Sequence, residues 1–435
     1  MKLSEKQVIE AIKPIKVINP GPREFSYFSF DSRKMKEGGL FFALKGERDG
    51  HLFVEDAIRK GASAAVVERA VGEAPQYVVK DSLRALGDLA SSTLSSEQRL
   101  GITGSAGKTT TKILVLHFLS QEFFTEATPG NWNNLIGIPT FLLNRKGSPY
   151  LILEMGISLP GEMDRLVEIA KPTAAVITRI YPVHTETLGS VENITEEKGK
   201  ILKTAERAAF NLDDPYQERF YREFSGEKRG FSRSRKADLR LLSWRRLSIS
   251  QLEVELDYLG RKIKGAFSFW SPAFLENLMA ALTLTSFFLS KPPSLEGIEP
   301  MEGRGRVRNM DGVWVIDESY NSNPSAALLS LLSLSSLEGR KIAVLSDMLE
   351  LKEPEDEHRL FARRASMLKI DIFLFVGPLM RLAFEEARRK RDSVFWAESP
   401  EEAMKILKGL LRKGDIILFK GSHGTGLWKE VEEWS

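Results

Sequence analysis

Three glycines and a lysine carry the clearest chemistry in the chain. In Gly101-Ile102-Thr103-Gly104-Ser105-Ala106-Gly107-Lys108-Thr109-Thr110-Thr111-Lys112 the glycines stand seven, four and one residues before Lys108. Glycines at that spacing let the backbone take positive φ and bring bare N–H groups against an anion. Lys108 adds a point charge and Thr109 a hydroxyl that can ligate Mg²⁺. The apolar run 113–119 reads as a buried helix whose N-terminus faces bound phosphates. Gly104, Ser105, Ala106, Gly107, Lys108, Thr109 and Thr110 are therefore expected to cradle phosphates. The general pattern wants a glycine six residues before the lysine, and that position is Ile102. The alternative is a chance Gly-Lys-Thr turn, which leaves the other glycines and the helix unexplained.

Further candidates sit where strands end. Glu154 closes an apolar stretch at 150–153, and His184 and Glu186 follow another at 174–178. Both ends fall on the expected sheet edge of the phosphate loop, which suits Mg²⁺ ions bridging phosphate oxygens. By pattern alone His184 reads equally as a structural or surface histidine. Lys198, in Glu196-Glu197-Lys198-Gly199-Lys200, reads by pattern as a solvated helical partner of its acidic neighbours. The loop 128–134 is dense in amides, including Asn133 and Asn134. Near the N-terminus, Asp31, Ser32, Arg33, Lys45, Asp49 and His51 all follow strand-like runs, although each is also an ordinary turn residue. In the last third, polar clusters at 317–324, 346–350 and 420–423 end three separate strand-like runs.

The elements that must position these residues divide the chain into three α/β units. Residues 1–97 predict a small unit, with a helix ending at Pro14 and strands near 28–30, 40–44 and 64–67. Residues 98–297 alternate strands and helices, which predicts a parallel sheet covered on both faces. After the breaker-rich Lys291-Pro292-Pro293-Ser294, residues 298–435 predict a second, Rossmann-like α/β unit. The basic stretches 228–246 and 388–391 read as exposed loops with hairpin edges and as cations at a helix end.

Composition bounds the function. With 62 basic and 59 acidic residues the net charge is +3, which makes no general case for nucleic acid. The charged N-terminus does not read as a secretion signal, and the longest mostly apolar run, 278–289, is too short for a membrane span. Zero cysteines exclude disulfides and thiolate metal sites. A cytoplasmic monomer with no nucleic-acid partner and no membrane insertion is expected.

At Thr103-Gly104-Ser105-Ala106-Gly107-Lys108-Thr109 the chain resembles the Mur ligases, the ATP-dependent amide-forming enzymes of peptidoglycan assembly. Asp31-Ser32-Arg33, Ala43-Leu44-Lys45-Gly46, Asp49-Gly50-His51, Gly130-Asn131-Trp132-Asn133-Asn134 and Asp317-Glu318-Ser319-Tyr320-Asn321-Ser322-Asn323-Pro324 resemble one branch of that family. That branch joins D-alanyl-D-alanine to UDP-N-acetylmuramoyl-tripeptide. The resemblance covers about residues 28–425, in order. It implies a UDP-sugar domain, an ATP domain and a third domain that closes over both. It implies that Asp31, Ser32, Arg33, Lys45, Gly46, Asp49 and His51 bind the UDP-substrate. ATP would meet Gly104 to Thr110, with Asn277 on the adenine side and Arg304 and Asp317 from the third domain. Asn133, Asn134, Tyr320, Asn321 and Asn323 would surround the acyl and dipeptide end. Thr109 and Glu154 would hold one Mg²⁺ and His184 would serve a second, while Lys198 matches a lysine carbamylated in these ligases. Lys108, His184 and Lys198 would be the catalytic set.

The chain departs from the family pattern at Glu276, where the family has histidine, at Ala280, at His423, where it has arginine, and in 178–183, which lacks the family's asparagines. Two other readings stay open: a related ligase adding a single amino acid or a glutamate, and a scaffold that uses ATP only to change shape.

Overall fold

Buried strands followed by covering helices build three large successive sheets, beside a two-stranded ladder of Leu3–Ser4 with Glu24–Phe25, in the computed structural model, which describes residues 1–181 and 185–434. In the first, Tyr27–Ser29, Gly39–Phe42, Ala62–Val67 and Gln76–Val78 run parallel, and Lys16–Ile18 joins the far edge antiparallel. Gly39–Phe42 is buried at every position, as a strand covered on both faces must be. The first helix, Glu5–Ile12, is held by a reciprocal capping box between Ser4 and Gln7 and stops at Lys13, just before Pro14.

The central sheet has nine strands among the described residues. Gln98–Thr103 lies inside it, between Tyr150–Glu154 and Ala174–Ile177, all parallel. The expected parallel sheet is present, with an antiparallel extension at one end. Beyond Leu239–Ser248 the sheet continues through antiparallel Gln251–Tyr258 and Arg261–Phe267. In the basic stretch 228–246 the expected hairpin is present, Leu239–Ser248 pairing antiparallel with Gln251–Tyr258, while Glu227–Ser232 is a parallel strand of the sheet rather than an exposed loop. Along Gln251–Tyr258 the residues Leu252, Val254, Leu256 and Tyr258 point to the core while the acidic residues between them face outward. That alternation is a strand signature masked by the high charge of the stretch.

The third sheet orders Arg306–Met310, Val313–Glu318, Ile416–Lys420, Lys341–Ser346, Ile372–Val376 and Val394–Ala397, and only the first pair is antiparallel. The three polar clusters of the last third thus end neighbouring parallel strands, on one edge.

The cores are not distributed one per unit. A continuous apolar cluster runs from Phe28, Phe42 and Leu86 of the first unit into Ile138, Leu142 and Leu166 of the second. Asn144 reinforces it by accepting from Phe28 N (3.1 Å) and donating to Phe28 O (2.9 Å). A buried Arg145–Glu97 ion pair (3.0 Å) clamps the connection between the two. The third sheet has its own cores on both faces, and one of them takes in Trp270 from the segment before the helix Leu275–Thr285.

Candidate active site

The phosphate loop is shaped by two glycines that nothing else could replace. Gly104 (φ 149°) lies so close to the next strand's exit that a Cβ would fall 2.0 Å from Thr178 Oγ1. Gly107 (φ 84°) would place a Cβ 2.1 Å from Asn277 Oδ1. The loop is pinned from outside by Ser105 N donating to Arg179 O (2.8 Å) and Ser105 Oγ to Tyr181 O (2.9 Å). The helix Lys108–Leu119 begins at Gly107, which offers no capping side chain. Its first-turn N–H groups are thereby left for an anion. Lys108 Nζ folds back to Gly104 O (2.8 Å), and burial pushes its ammonium below the usual lysine range, opposed by Glu154.

Behind the loop lies a buried polar knot. Glu154 Oε1 accepts from Thr109 Oγ1 (3.1 Å) and Asn133 Nδ2 (3.0 Å). Glu154 Oε2 is buried without a hydrogen bond and faces Lys112 Nζ at 3.0 Å. Burial alone would raise the carboxyl's pKa, but Lys112 and then Lys108 outweigh it and hold Glu154 below its usual range. Among the described residues no three His, Cys, Asp or Glu side chains cluster as a metal cage. A single carboxylate with a hydroxyl fits Mg²⁺, which keeps waters and binds through phosphates. His184 lies outside the described residues.

Lys198 contradicts its reading as a solvated helical lysine. Only 1% of it is exposed. Burial, with Lys108 adding to it, drives its pKa well below the ordinary value. The acidic neighbour Glu197 turns instead to Gly161 N (2.5 Å) and Lys200.

The phosphate loop opens onto a cleft enclosing about 900 Å³, part of it open to solvent. One wall comes from the central unit: Ser105, Gly107, Arg179, Tyr181, Glu276 and Asn277. The opposite wall comes from the third: Arg304, Glu318, Asn321, Asn323 and Lys420. Arg304 lies over the Tyr320 ring at 4.3 Å. Asp317 does not line the cleft; its carboxylate accepts from Gly303 N (2.8 Å), Ser319 N (3.0 Å) and Ser319 Oγ (2.6 Å), which fixes the turn that presents Arg304. Asn323 caps the helix Pro324–Ser335 through Ala326 N (2.9 Å), and Asn134 accepts from Ile136 N and Gly137 N. Glu276 pairs with Arg179 (3.3 Å), and burial raises its carboxyl.

The first unit's candidates gather at the ends of its parallel strands. Asp49 accepts from His51 N (3.0 Å), bonds His51 Nδ1 (2.6 Å) and pairs with Arg69 (2.5 Å). His51 Nε2 accepts from Glu68 N (2.8 Å), so both ring nitrogens are engaged. Lys45 pairs with Glu68, and Gly46 lies in the turn between Lys45 and Asp49. Asp31 caps the turn Ser32–Lys34 and holds Arg33 in a fork of two 2.9 Å bonds, with the Arg33 side chain 82% exposed. Ser32 is buried.

Sequence reading left Lys112, Arg179, Tyr181, Glu318 and Arg69 without a role. Lys112 carried one signal: it stands four residues after Lys108, on the same helix face. Glu318 lay inside the polar cluster 317–324, whereas Arg179, Tyr181 and Arg69 had no signal, because their partners are distant in the chain.

Comparison with known proteins matches the chain to the Mur ligases. The model of the Mur ligase family catalytic domain matches residues 24–93, that of the Mur ligase middle domain residues 102–285, and that of the Mur ligase glutamate ligase domain residues 303–423. The UDP-N-acetylmuramoyl-tripeptide–D-alanyl-D-alanine ligase of Bacillus subtilis (strain 168) is 32% identical over 428 residues, covering 93% of this chain and 92% of that one. The crystal structure of MurF from Acinetobacter baumannii superposes with a TM-score of 0.91 at 26% identity, covering 100% of this chain and 98% of its own. MurF from Thermotoga maritima, solved in complex with ADP, gives 0.83 at 29% identity over 94% and 98%.

Proposed function

Since the chain belongs to the Mur ligase family, we propose that it is the ligase that joins D-alanyl-D-alanine to UDP-N-acetylmuramoyl-tripeptide in peptidoglycan precursor synthesis. ATP drives the reaction, through an acyl phosphate. The observation that carries this reading is the cleft in which an anion-binding loop faces Arg304, Asn321 and Lys420 of the third unit. A device that only bound nucleotide would not need a second wall of cations and amides opposite the phosphates.

The chemistry explains the parts. A free carboxylate does not react with an amine, because its leaving group would be oxide. Transfer of the γ-phosphoryl of ATP to the tripeptide's terminal carboxylate supplies a better one, but it brings two anions together. Lys108, the open N–H groups of the helix Lys108–Leu119 and Arg304 offset that repulsion. The amine of D-alanyl-D-alanine then attacks the acyl carbon, and phosphate departs as the amide forms. Lining up three substrates is positioning work, with about 7–11 kcal/mol available in favourable cases. The third unit's wall over the loop also keeps water from the acyl phosphate.

Thr109 and Glu154 would hold Mg²⁺, with Asn133 orienting the carboxylate. When bound, the ion supplies charge neutralisation between the approaching anions. His184 would serve a second Mg²⁺. Lys198 would be carbamylated: burial and Lys108 lower its pKa, which favours the deprotonated amine that would attack CO₂, a C–N bond forming and a proton leaving, and the resulting anion would offset Lys108. Asn277 would meet the adenine side, and Asp317 would act by presenting Arg304. Exposed Arg33 and Lys45 would meet the UDP diphosphate, with Asp31, Ser32, Gly46, Asp49 and His51 shaping their loops. Asn133, Asn134, Tyr320, Asn321 and Asn323 would flank the acyl and dipeptide end. In this reading residues 1–97, 98–297 and 298–435 are the UDP-sugar, ATP and ligase domains of a cytoplasmic monomer.

Mass spectrometry of products from UDP-tripeptide, ATP, Mg²⁺ and D-alanyl-D-alanine tests the assignment. The expected result is ADP together with a peptide extended by two alanines. Extension only with single amino acids, or ADP without any extension, would overturn it.

A further inference from the structure

Lys112 stands one helical turn beyond Lys108 on the same helix, and its side chain is buried. Its ammonium lies 3.0 Å from Glu154 Oε2 and donates to Gly130 O at 2.7 Å. The pair is sealed, with side chains 5% and 3% exposed. Glu154 is tied to the same loop twice more, through Asn133 Nδ2 and through its own N–H to Thr128 Oγ1 (3.1 Å). The carboxylate's two oxygens therefore differ: Oε1 is shared by Thr109 and Asn133, while Oε2 is claimed by a cation.

We propose that Lys112 is a positioning residue that serves as the resident counter-cation of Glu154, limiting how tightly the site holds a divalent ion while fixing the loop 128–134 against it. The proposal rests on Thr109 and Glu154 being the magnesium ligands. Two consequences follow from one ammonium. A positive charge against a ligand oxygen lowers the carboxylate's attraction for a second cation, which keeps the metal–nucleotide product exchangeable. The bond to Gly130 O holds the loop that carries Asn133, so the carboxylate keeps its orientation towards Thr109. Removing the ammonium would leave a buried carboxylate without its partner, a costly arrangement that binding of a divalent cation relieves. Metal affinity and turnover are therefore expected to move in opposite directions.

The test uses the full-length protein with Mn²⁺ and ADP as probes, followed by electron paramagnetic resonance and by the thermal shift on binding. Lys112→Met is expected to bind Mn²⁺·ADP about ten-fold more tightly than wild type, to gain a larger thermal shift, and to lose about ten-fold in kcat. Lys112→Gln, which removes the charge but still donates to Gly130 O, serves if the methionine variant does not fold. It is expected to show the tighter binding with a smaller loss of kcat. Lys112→Arg restores the cation and is expected to restore wild-type Mn²⁺ affinity. A purely structural lysine would weaken binding and turnover together, so equal or weaker Mn²⁺·ADP binding in a folded neutral variant overturns the proposal. Glu154→Gln separates the two claims: if it leaves the Mn²⁺ affinity of the otherwise wild-type protein unchanged, the magnesium assignment fails, whatever Lys112 does.

Discussion

Gly107 and Asn277 occupy adjoining space so tightly that a single methyl group on the glycine would fall 2.1 Å from the asparagine's Oδ1. The positive φ of Gly107 adds backbone strain for any other residue. Gly107→Ala is therefore expected to displace the loop from Asn277 rather than merely stiffen it. Nucleotide-dependent turnover should fall by about 100-fold, with about 1–3 kcal/mol lost from folding stability. Steady-state rates of ADP formation and equilibrium unfolding measure the two, and calorimetric titration with ADP reads the nucleotide binding. A variant that binds ADP like wild type would show that this contact does not shape the nucleotide site.

Lys198 is sealed from solvent, and burial holds its pKa well below the ordinary lysine value. If its role is to carry an anionic carbamate, Lys198→Ala should abolish turnover and recover part of it with added short carboxylic acids, which supply the missing oxygens. Initial rates with and without acetate or formate decide the matter. Full activity of the alanine variant without any additive would remove Lys198 from the mechanism.

Trp270 lies outside the third sheet's own sequence yet packs in its core, with Nε1 donating to Glu318 Oε1 at 2.9 Å. Glu318 also receives Ser330 Oγ (2.5 Å) and Lys420 Nζ (3.1 Å). Trp270→Phe removes one donor to a buried charged acceptor, which costs about 1.5–3 kcal/mol. Denaturant unfolding followed by circular dichroism is expected to show that loss. The nucleotide thermal shift should shrink too, since Glu318 and Lys420 line the cleft.

His358 is buried and fully engaged as the neutral ring: Nε2 accepts from Met348 N (3.1 Å) and Nδ1 donates to Pro354 O (2.5 Å). Burial lowers its pKa, against smaller opposing contributions from Pro354 O and Asp347. A histidine depressed in the fold binds a proton more readily when unfolded. Its stabilising contribution is therefore present above the unfolded pKa of about 6.5 and is lost as pH falls below it. Unfolding midpoints at pH 7.5 and 5.5 should drop more in wild type than in His358→Gln, whose amide can satisfy both partners without titrating. Equal slopes would contradict the assignment. Asp347, raised by burial, titrates in the opposite sense in both proteins.

The first and second units share one core, whereas the third has its own. Any opening of the cleft must then be a rotation of the third unit against the other two moving together. Small-angle scattering should show compaction when an ATP analogue and the UDP-substrate are both bound. An unchanged radius of gyration would rule out that closure.

What the amino-acid sequence determined alone is the chemistry that depends on neighbours in the chain. The glycine spacing before Lys108, the carboxylate ending Tyr150–Glu154 and the strand–helix alternation are all set by local backbone geometry. The polar clusters at 317–324 and 420–423 were legible for the same reason, because parallel strands must present their C-terminal ends on one edge. The antiparallel extension at Gln251–Tyr258 was equally local, but its charges hid the alternation. Tertiary structure alone decided which groups meet: Asn277 beneath Gly107, Arg304 opposite the phosphate loop, Trp270 inside another unit's core, and Lys112 rather than Lys108 on Glu154. It also buried Lys198, set among acidic neighbours in the chain, and engaged both nitrogens of His51. Burial and partnership belong to atoms brought together by sheet order and packing. A stretch of sequence does not contain the distant surface that will desolvate it.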